Sequence, residues 1–491
     1  MDPEKNRIPE NVKSVHLTAV CGTGMGSLAG LLADAGLSVT GSDENVYPPM
    51  STFLAEKGIP VSLGFSPENV AHRPDLVVVG NAISRDNPEV AGIRDLGLCY
   101  CSFPQAMAAF FANQKDLILV TGTHGKTTTT AITAWLLHSG GMDPSFLVGG
   151  ITQDFNTSHR LGQGAHMVIE GDEYDSAFFD KRPKFVHYAP SRAILTSVEY
   201  DHADIYPDFA SVKAAFSGFV SGLSAQALLV HHEDMPDVLS GARCWKVNYG
   251  QRNSSVWSLG KIEVEPPWTR FTVLRRGRPY GDFRTRLMGR HNLENALSAI
   301  AVADDAGLNP GAIGKGLESF SGVKRRQEIR GVVAGVTVMD DFAHHPTAVR
   351  ETLAAVRPFF PGRVIAVFEP RTNTSQRKVF QDAYPGAFAD ADLVCVARPP
   401  RQQKIPVEER FSSQKLAGDI AALGREARFF DETRKIVEFV ARTARSGDLV
   451  IVMSNGGFDN IHEKLLKALE KGAPGEEPRK DRASGPEEAG S

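Results

Sequence analysis

Val120-Thr-Gly122-Thr123-His124-Gly125-Lys126-Thr127-Thr128-Thr stands between an apolar run, Asp116–Val120, and a stretch able to form a helix, Thr127–His138. A strand, a glycine-rich turn and a helix in that order constrain this chain more than any other feature, because they build a phosphate-gripping loop. Glycines let backbone N–H groups close around phosphate oxygens. The helix N-terminus adds positive potential, and one lysine neutralises the terminal phosphates. The Thr127 hydroxyl is placed to meet Mg2+. The general pattern has a glycine five residues before the Gly-Lys pair, where this chain has Val120. The flanks nevertheless point to ATP or GTP, held by Gly122, Thr123, His124, Gly125, Lys126, Thr127 and Thr128.

On either side of this loop the chain alternates strand-like and helix-like segments, which implies parallel sheets. Ser14–Val20, Ser38–Gly41 and Leu76–Val79 read as strands, with a helix over Ser27–Ala35. Met167–Glu170 and Ala193–Ser197 continue the pattern, Arg270–Leu274 alternates, and Leu293–Ala306 reads as a helix. Val332–Met339, Arg363–Phe368, Asp392–Val396 and Asp448–Met453 read as buried parallel strands. A length of 491 residues suggests about three domains, and 42% apolar residues are ample for their cores. A net charge of −4 leaves no basic face for nucleic acid. Five scattered cysteines give no zinc spacing. The charged start lacks a signal-peptide core and no apolar run reaches membrane-spanning length, so the expected setting is the cytoplasm.

Further clusters sit at the ends of these strands. Gly22-Thr23-Gly24-Met25-Gly26 follows a strand and opens a helix, where amides can hold a pyrophosphate, although Ser27 takes the place of the third glycine in the dinucleotide pattern. Asp43 ends the next strand, where an acid often meets a ribose hydroxyl. Glu170-Gly-Asp172-Glu173-Tyr-Asp175 crowds four carboxylates at one strand end, which calls for a cation. Glu199-Tyr-Asp201-His202-Ala-Asp204 ends another strand, and His202 can complete a metal shell or orient a γ-phosphate. Asn292 and Asn295 begin a helix, as caps or as partners of an adenine edge. Lys324-Arg325-Arg326 lies at a candidate boundary, where a guanidinium can clamp transferring phosphate as domains close. Asp340-Asp341-Phe-Ala-His344-His345-Pro brings acids and imidazoles to a sheet edge.

In their order these seven segments resemble the Mur ligase family, ATP-dependent amide-forming enzymes of bacterial cell-wall precursors, over residues 14–470. The resemblance implies an α/β fold of three domains. These are a Rossmann-like UDP-sugar domain at 1–113, a P-loop ATPase-type domain at 114–324 and a Rossmann-like domain at 325–471, before a disordered tail at 472–491. The stretches 171–188, 368–377 and 454–466 look like the branch that joins UDP-N-acetylmuramate to L-alanyl-γ-D-glutamyl-meso-diaminopimelate. A branch adding L-alanine is the alternative. It would carry a different stretch after its DES segment and a QPHRYTRT-like loop. A nicotinamide oxidoreductase and a non-catalytic nucleotide switch are weaker rivals, since each leaves several of the clusters without a role.

The resemblance also implies roles. Lys126 holds the β- and γ-phosphates, Thr127 and Glu173 bind Mg2+, and His202 binds a second Mg2+. Arg326 lies by the γ-phosphate, Asn292 and Asn295 by the adenine, and Asp341 by the ATP ribose. Gly22–Gly26, Asp43, Asn81 and His344 meet substrate, and Arg371 meets a tripeptide carboxylate. Phe216 stands where other branches have a carbamylated lysine. The partners implied are UDP-N-acetylmuramate and the murein tripeptide, without nucleic acid or membrane, for a monomer or weak dimer.

Overall fold

Runs of Val, Ile and Leu bounded by polar turns make strands that are buried on both faces. In the computed structural model, which describes residues 1–46, 50–400, 402–403 and 405–472, they form three large sheets of five, ten and six strands. The first sheet is parallel throughout and centres on Ser14–Thr18, with Ser38–Asp43 and Leu76–Val79 beside it. The second has Asp116–Thr121 between Arg192–Leu195 and His166–Gly171, all parallel. It ends in the antiparallel meander Trp257–Glu265, Trp268–Arg275 and Arg278–Thr285. The carboxyl ends of its central strands carry the phosphate loop and both acidic clusters, the edge at which α/β folds place ligands.

The third sheet differs from expectation at its start. Val332–Met339 is not one parallel strand. The chain turns at Ala334 (φ 50°) and Gly335 (φ 74°), and Glu328–Val333 pairs antiparallel with Val336–Asp341. Two successive left-handed residues give the tight hairpin turn that matches strand twist. The outer strand leaves Ile329 and Val332 exposed, whereas Val336, Val338 and Met339 are buried. The remaining strands, Val364–Phe368, Leu393–Ala397, Glu426–Phe430 and Leu449–Met453, are parallel to Val336–Asp341 or to one another. The tail expected at 472–491 lies outside the described residues apart from Gly472, which ends the helix Ile461–Gly472. Among the described residues, no helix is long and apolar enough to cross a membrane.

One apolar core runs from the first sheet into the second, joining Leu17, Leu28 and Met107 to Leu119, Ile169 and Phe216. The third sheet has two cores of its own, built from buried residues between 336 and 469. The first two units are therefore fused by hydrophobic burial, and the third meets them through a seam of hydrogen bonds with a few apolar contacts, among them Met288 against its core and the Tyr200 ring 6.3 Å from Phe380. Phe216 is fully buried with its ring 5.4 Å from Phe185. Phe216→Ala is expected to destabilise this shared core by about 3–5 kcal/mol. The check is the guanidinium midpoint followed by intrinsic fluorescence, and an unchanged midpoint would count against the core so drawn.

Candidate active site

The phosphate loop has its shape because two residues can be only glycine. Gly122 (φ 129°) lies so close to Thr196 Oγ1 and the Ser197 backbone that a Cβ would collide with both. Gly125 (φ 81°) precedes the helix Lys126–Ser139, and a Cβ there would strike Asn295 Oδ1. Asn295 Nδ2 donates to Asn292 Oδ1 at 3.3 Å, so the two asparagines form one polar face against the loop. Asn292 also donates to Met288 O and to Gln327 Oε1, at 2.9 and 3.1 Å.

Lys126 folds back within the loop. Its Nζ is 2.7 Å from Glu173 Oε2 and 2.6 Å from the Gly122 carbonyl oxygen. Thr127 Oγ1 donates to Glu170 Oε2 at 3.2 Å, and Glu170 also accepts from Gly149 N. His202 Nε2 is 3.1 Å from Glu173 Oε1, and the Tyr206 hydroxyl donates to the Glu173 carbonyl. His202 adopts φ 54°, a left-handed conformation rare for a non-glycine residue and typical of functional sites. The Asp201 carboxylate accepts from His202 N at 2.7 Å and supports that turn.

Burial and the negative charge of Asp172 push the Glu170 carboxyl up to about 7. Burial also opposes ionisation of Asp172, but Lys184 and Lys126 outweigh it and bring Asp172 to about 2. Glu173 is likewise buried, yet Lys126 and His202 hold it below its usual range. Thr127, Glu173 and His202 thus bring a hydroxyl, an ionised carboxylate and an imidazole to the carboxyl ends of three neighbouring parallel strands. That oxygen-rich donor set fits a hard divalent cation such as Mg2+.

The third unit reaches this edge with several groups. Arg326 stacks on Phe342, with its guanidinium carbon 4.6 Å from the ring centre, in the field of both Asp341 and Glu170. Asp341 accepts from Gln327 N (2.9 Å), Ala343 N (2.8 Å) and Thr352 Oγ1 (3.3 Å), so it also braces the turn that carries Arg326. His344 keeps Nδ1 3.0 Å from the Phe342 carbonyl oxygen. Arg371 lies over Gly456 with its guanidinium 3.5 Å from Glu369 Oε1. Glu369 is buried and accepts from Ser454 Oγ, so this cation is held by a neighbouring acid.

The N-terminal residues are apart from this cluster. The helix Thr23–Asp34 begins within the glycine segment, so Gly22 and Thr23 are exposed while Met25 and Gly26 face the core. Ser27 is buried and meets Ser158 Oγ of the middle unit at 2.7 Å, which explains its place in the pattern. Asp43 accepts from Cys21 N and Asn45 N at 2.9 and 2.8 Å, one bond to each carboxylate oxygen. Asn81 is exposed at the end of Leu76–Val79.

Sequence reasoning gave His124 to the nucleotide and singled out the segments of Glu199 and His345, but did not pair them as a seam. Glu199 Oε2 accepts from Thr347 Oγ1 at 2.8 Å and lies 3.6 Å from His124 Nε2. His345 caps the helix Pro346–Val356 through Nδ1, with Nε2 3.3 Å from the Tyr200 carbonyl oxygen. His124, Glu199 and His345 lie close enough to ligate an ion, but both His345 nitrogens already have partners, so the trio acts as a lock between the units. Asn373 donates to Asp204 at 2.9 Å, and Ala203 N to Thr374 at 3.2 Å. The one sequence signal was the position of these groups at strand ends beside the acidic clusters.

Three family models cover most of the chain. These are the Mur ligase family catalytic domain at residues 14–115, the Mur ligase middle domain at 120–303, and the Mur ligase glutamate ligase domain at 324–456. The UDP-N-acetylmuramate–L-alanyl-γ-D-glutamyl-meso-2,6-diaminoheptandioate ligase of Escherichia coli is 39% identical, over 94% of this chain and 99% of its own. A UDP-N-acetylmuramate–L-alanine ligase of Chelativorans is 34% identical, over 94% of this chain and 99% of its own. The crystal structure of a murein peptide ligase from Psychrobacter arcticus matches at TM-score 0.70 and 34% identity, over 94% of this chain and 99% of that one.

The raised Glu170 carboxyl makes stability depend on pH with a definite sign. The folded chain binds this proton more tightly than the unfolded chain, whose carboxyl titrates near 4.5. The contribution of Glu170 is therefore full below 4.5 and is lost as pH rises to about 7. Thermal midpoints of wild type and Glu170→Gln, compared across that window without nucleotide, should diverge in favour of the variant as pH rises. A constant difference would overturn this account of Glu170.

Proposed function

The chain belongs to the Mur ligase family, ATP-dependent ligases that form C–N bonds, and from that premise we propose that it joins UDP-N-acetylmuramate to L-alanyl-γ-D-glutamyl-meso-diaminopimelate. The observation that carries the tripeptide over free L-alanine is the 39% identity along nearly the whole of a tripeptide-adding relative, against 34% for an L-alanine ligase. The proposal takes its domain limits at 113/114 and 324/325, on either side of the ten-strand sheet. It places the reaction in the cytoplasm, in the reuse of wall peptide.

A carboxylate is a poor electrophile, so the reaction needs activation. An oxygen of the lactoyl carboxylate attacks the γ-phosphorus of ATP, the bond from that phosphorus to the bridging oxygen breaks, and ADP leaves. The amine of the tripeptide's alanine then attacks the acyl carbon. A C–N bond forms, the C–O bond to phosphate breaks, inorganic phosphate departs, and the proton that the amine sheds leaves with the phosphate or to solvent. Lys126 exchanges its contact with Glu173 for the triphosphate, and Arg326 enters from the third unit to stabilise charge on the transferring group. Asn292 and Asn295 border the adenine, and Asp341 the ribose. Gly22–Gly24 offer amides to the UDP pyrophosphate, and Arg371 binds a carboxylate of the incoming peptide. Thr127 and Glu173 would hold one Mg2+ and His202 a second, ions that when bound neutralise phosphate charge. The seam at Glu199, Thr347 and His345 closes the site against water, which would otherwise hydrolyse the acyl phosphate.

Two measurements test this reading. Phosphate release with ATP, Mg2+ and UDP-N-acetylmuramate should require the tripeptide; release driven by free L-alanine would instead make this an L-alanine ligase. Arg326→Ala should lower kcat by about 10²–10³-fold with a smaller effect on KM for ATP, as expected for a contact made mainly in the transition state. A raised KM for ATP with kcat unchanged, the sign of a contact that serves binding alone, would remove Arg326 from that role.

A further inference from the structure

Lys184 is a buried cation to which the reaction above assigns no task. It follows the hairpin of Asp175–Ala177 and Asp180–Pro183 and starts the short turn Lys184–His187. The tip of that hairpin leans on the N-terminal unit, with the Phe179 ring 4.9 Å from Tyr100. The Lys184 side chain is only 12% exposed. Its Nζ lies 3.0 Å from Asp172 Oδ2 and 3.1 Å from the Tyr174 hydroxyl oxygen. Two aromatic faces flank it, Tyr174 at 4.2 Å and Phe103 at 5.3 Å from the ring centres. An ammonium carries three N–H donors, and these polar contacts use two.

Its position gives the third donor a meaning. Phe103 opens the last helix of the N-terminal unit, and its ring edge lies 3.8 Å from where a Cβ on Gly24 would stand. On the other side Asp172 shares the field of Lys126. Lys184 therefore stands between the glycine segment proposed for the UDP pyrophosphate and the loop proposed for the triphosphate. An acid anchored at the first must reach the second to attack. That acid approaches a polyanion, and a fixed cation offsets the repulsion. Cation–π contacts hold the ammonium in place before substrate arrives, so little ordering remains to be done on binding.

We propose that Lys184 is a specificity-determining residue that donates its third N–H to the lactoyl carboxylate of the UDP-sugar acid, leaving the second carboxylate oxygen free to attack. This rests on the proposed reaction. It predicts that Lys184 distinguishes the sugar acid from the same nucleotide sugar without its acid.

The test is equilibrium binding to the full chain with Mg2+ and a non-hydrolysable ATP analogue, using UDP-N-acetylmuramate and UDP-N-acetylglucosamine as probes. Wild type should prefer the acid. Lys184→Met should lose on the order of 10- to 100-fold in affinity for the acid alone, the scale of one charged hydrogen bond, and Lys184→Arg should recover part of it. Should Lys184→Met fail to fold, Lys184→Gln reads the same preference while keeping a hydrogen bond to Asp172. Equal weakening of both probes would make Lys184 a structural pin, and a preference kept by the variants would also overturn the inference while leaving the ligase reading intact. Wild type that binds neither probe would overturn the ligase reading and this inference together.

Discussion

Glu170, Asp172 and Glu173 converge at the end of one strand, and their mutual repulsion sets the terms for everything around them. Lys126 and Lys184 answer it from the middle unit, and Arg326 lends its field from the third. Each carboxylate meets a different balance. Asp172 is held ionised between two lysines, Glu173 is shared by Lys126 and His202, and Glu170 keeps its proton longest. Such a cluster is poised to exchange internal cations for a phosphate-bound one, because every contact that ligand binding breaks has a charged replacement.

Backbone geometry serves the same end. The glycines at 122 and 125 allow the chain to pass within contact distance of Thr196 and Asn295. His202 occupies a left-handed turn held by Asp201, and Arg325 and Gln327 flank Arg326 with positive φ of their own. These unusual conformations coincide with the residues proposed to handle phosphate, where surrounding packing over-determines them.

The phosphate loop, the acidic strand ends and the parallel sheets were legible because their signals are local: a run of apolar residues, a glycine, a lysine. The hairpin at 328–341 was not. Ala334-Gly335 lacks the Asn-Gly or Asp-Gly signature, and the valines on both sides read as one strand. The seam was hidden for another reason. Thr347 and Glu199 are 148 positions apart, and Asn373 and Asp204 are 169 apart, so no spacing rule could pair them. Asp43 reads from its strand-end position alone, and the two backbone amides that bond its oxygens carry no signal in the sequence. Lys184 carries no local signal, because Phe103, which supplies its second aromatic face, comes from another unit.

The continuous apolar core between the first two units bears on how such a chain can diversify. Residues from Val15 to Cys244 pack as one body, so altering the pocket for the sugar acid disturbs the packing beneath the phosphate loop. The third unit keeps separate cores and meets the rest at hydrogen bonds and a few apolar contacts, such as Tyr200 beside Phe380, rather than through a shared core. Loops there, including the one bearing Arg371, can be exchanged with little strain transmitted to the chemistry. In the proposed reaction, the amine partner is thus the evolvable half of the substrate pair and the acid partner the conserved one.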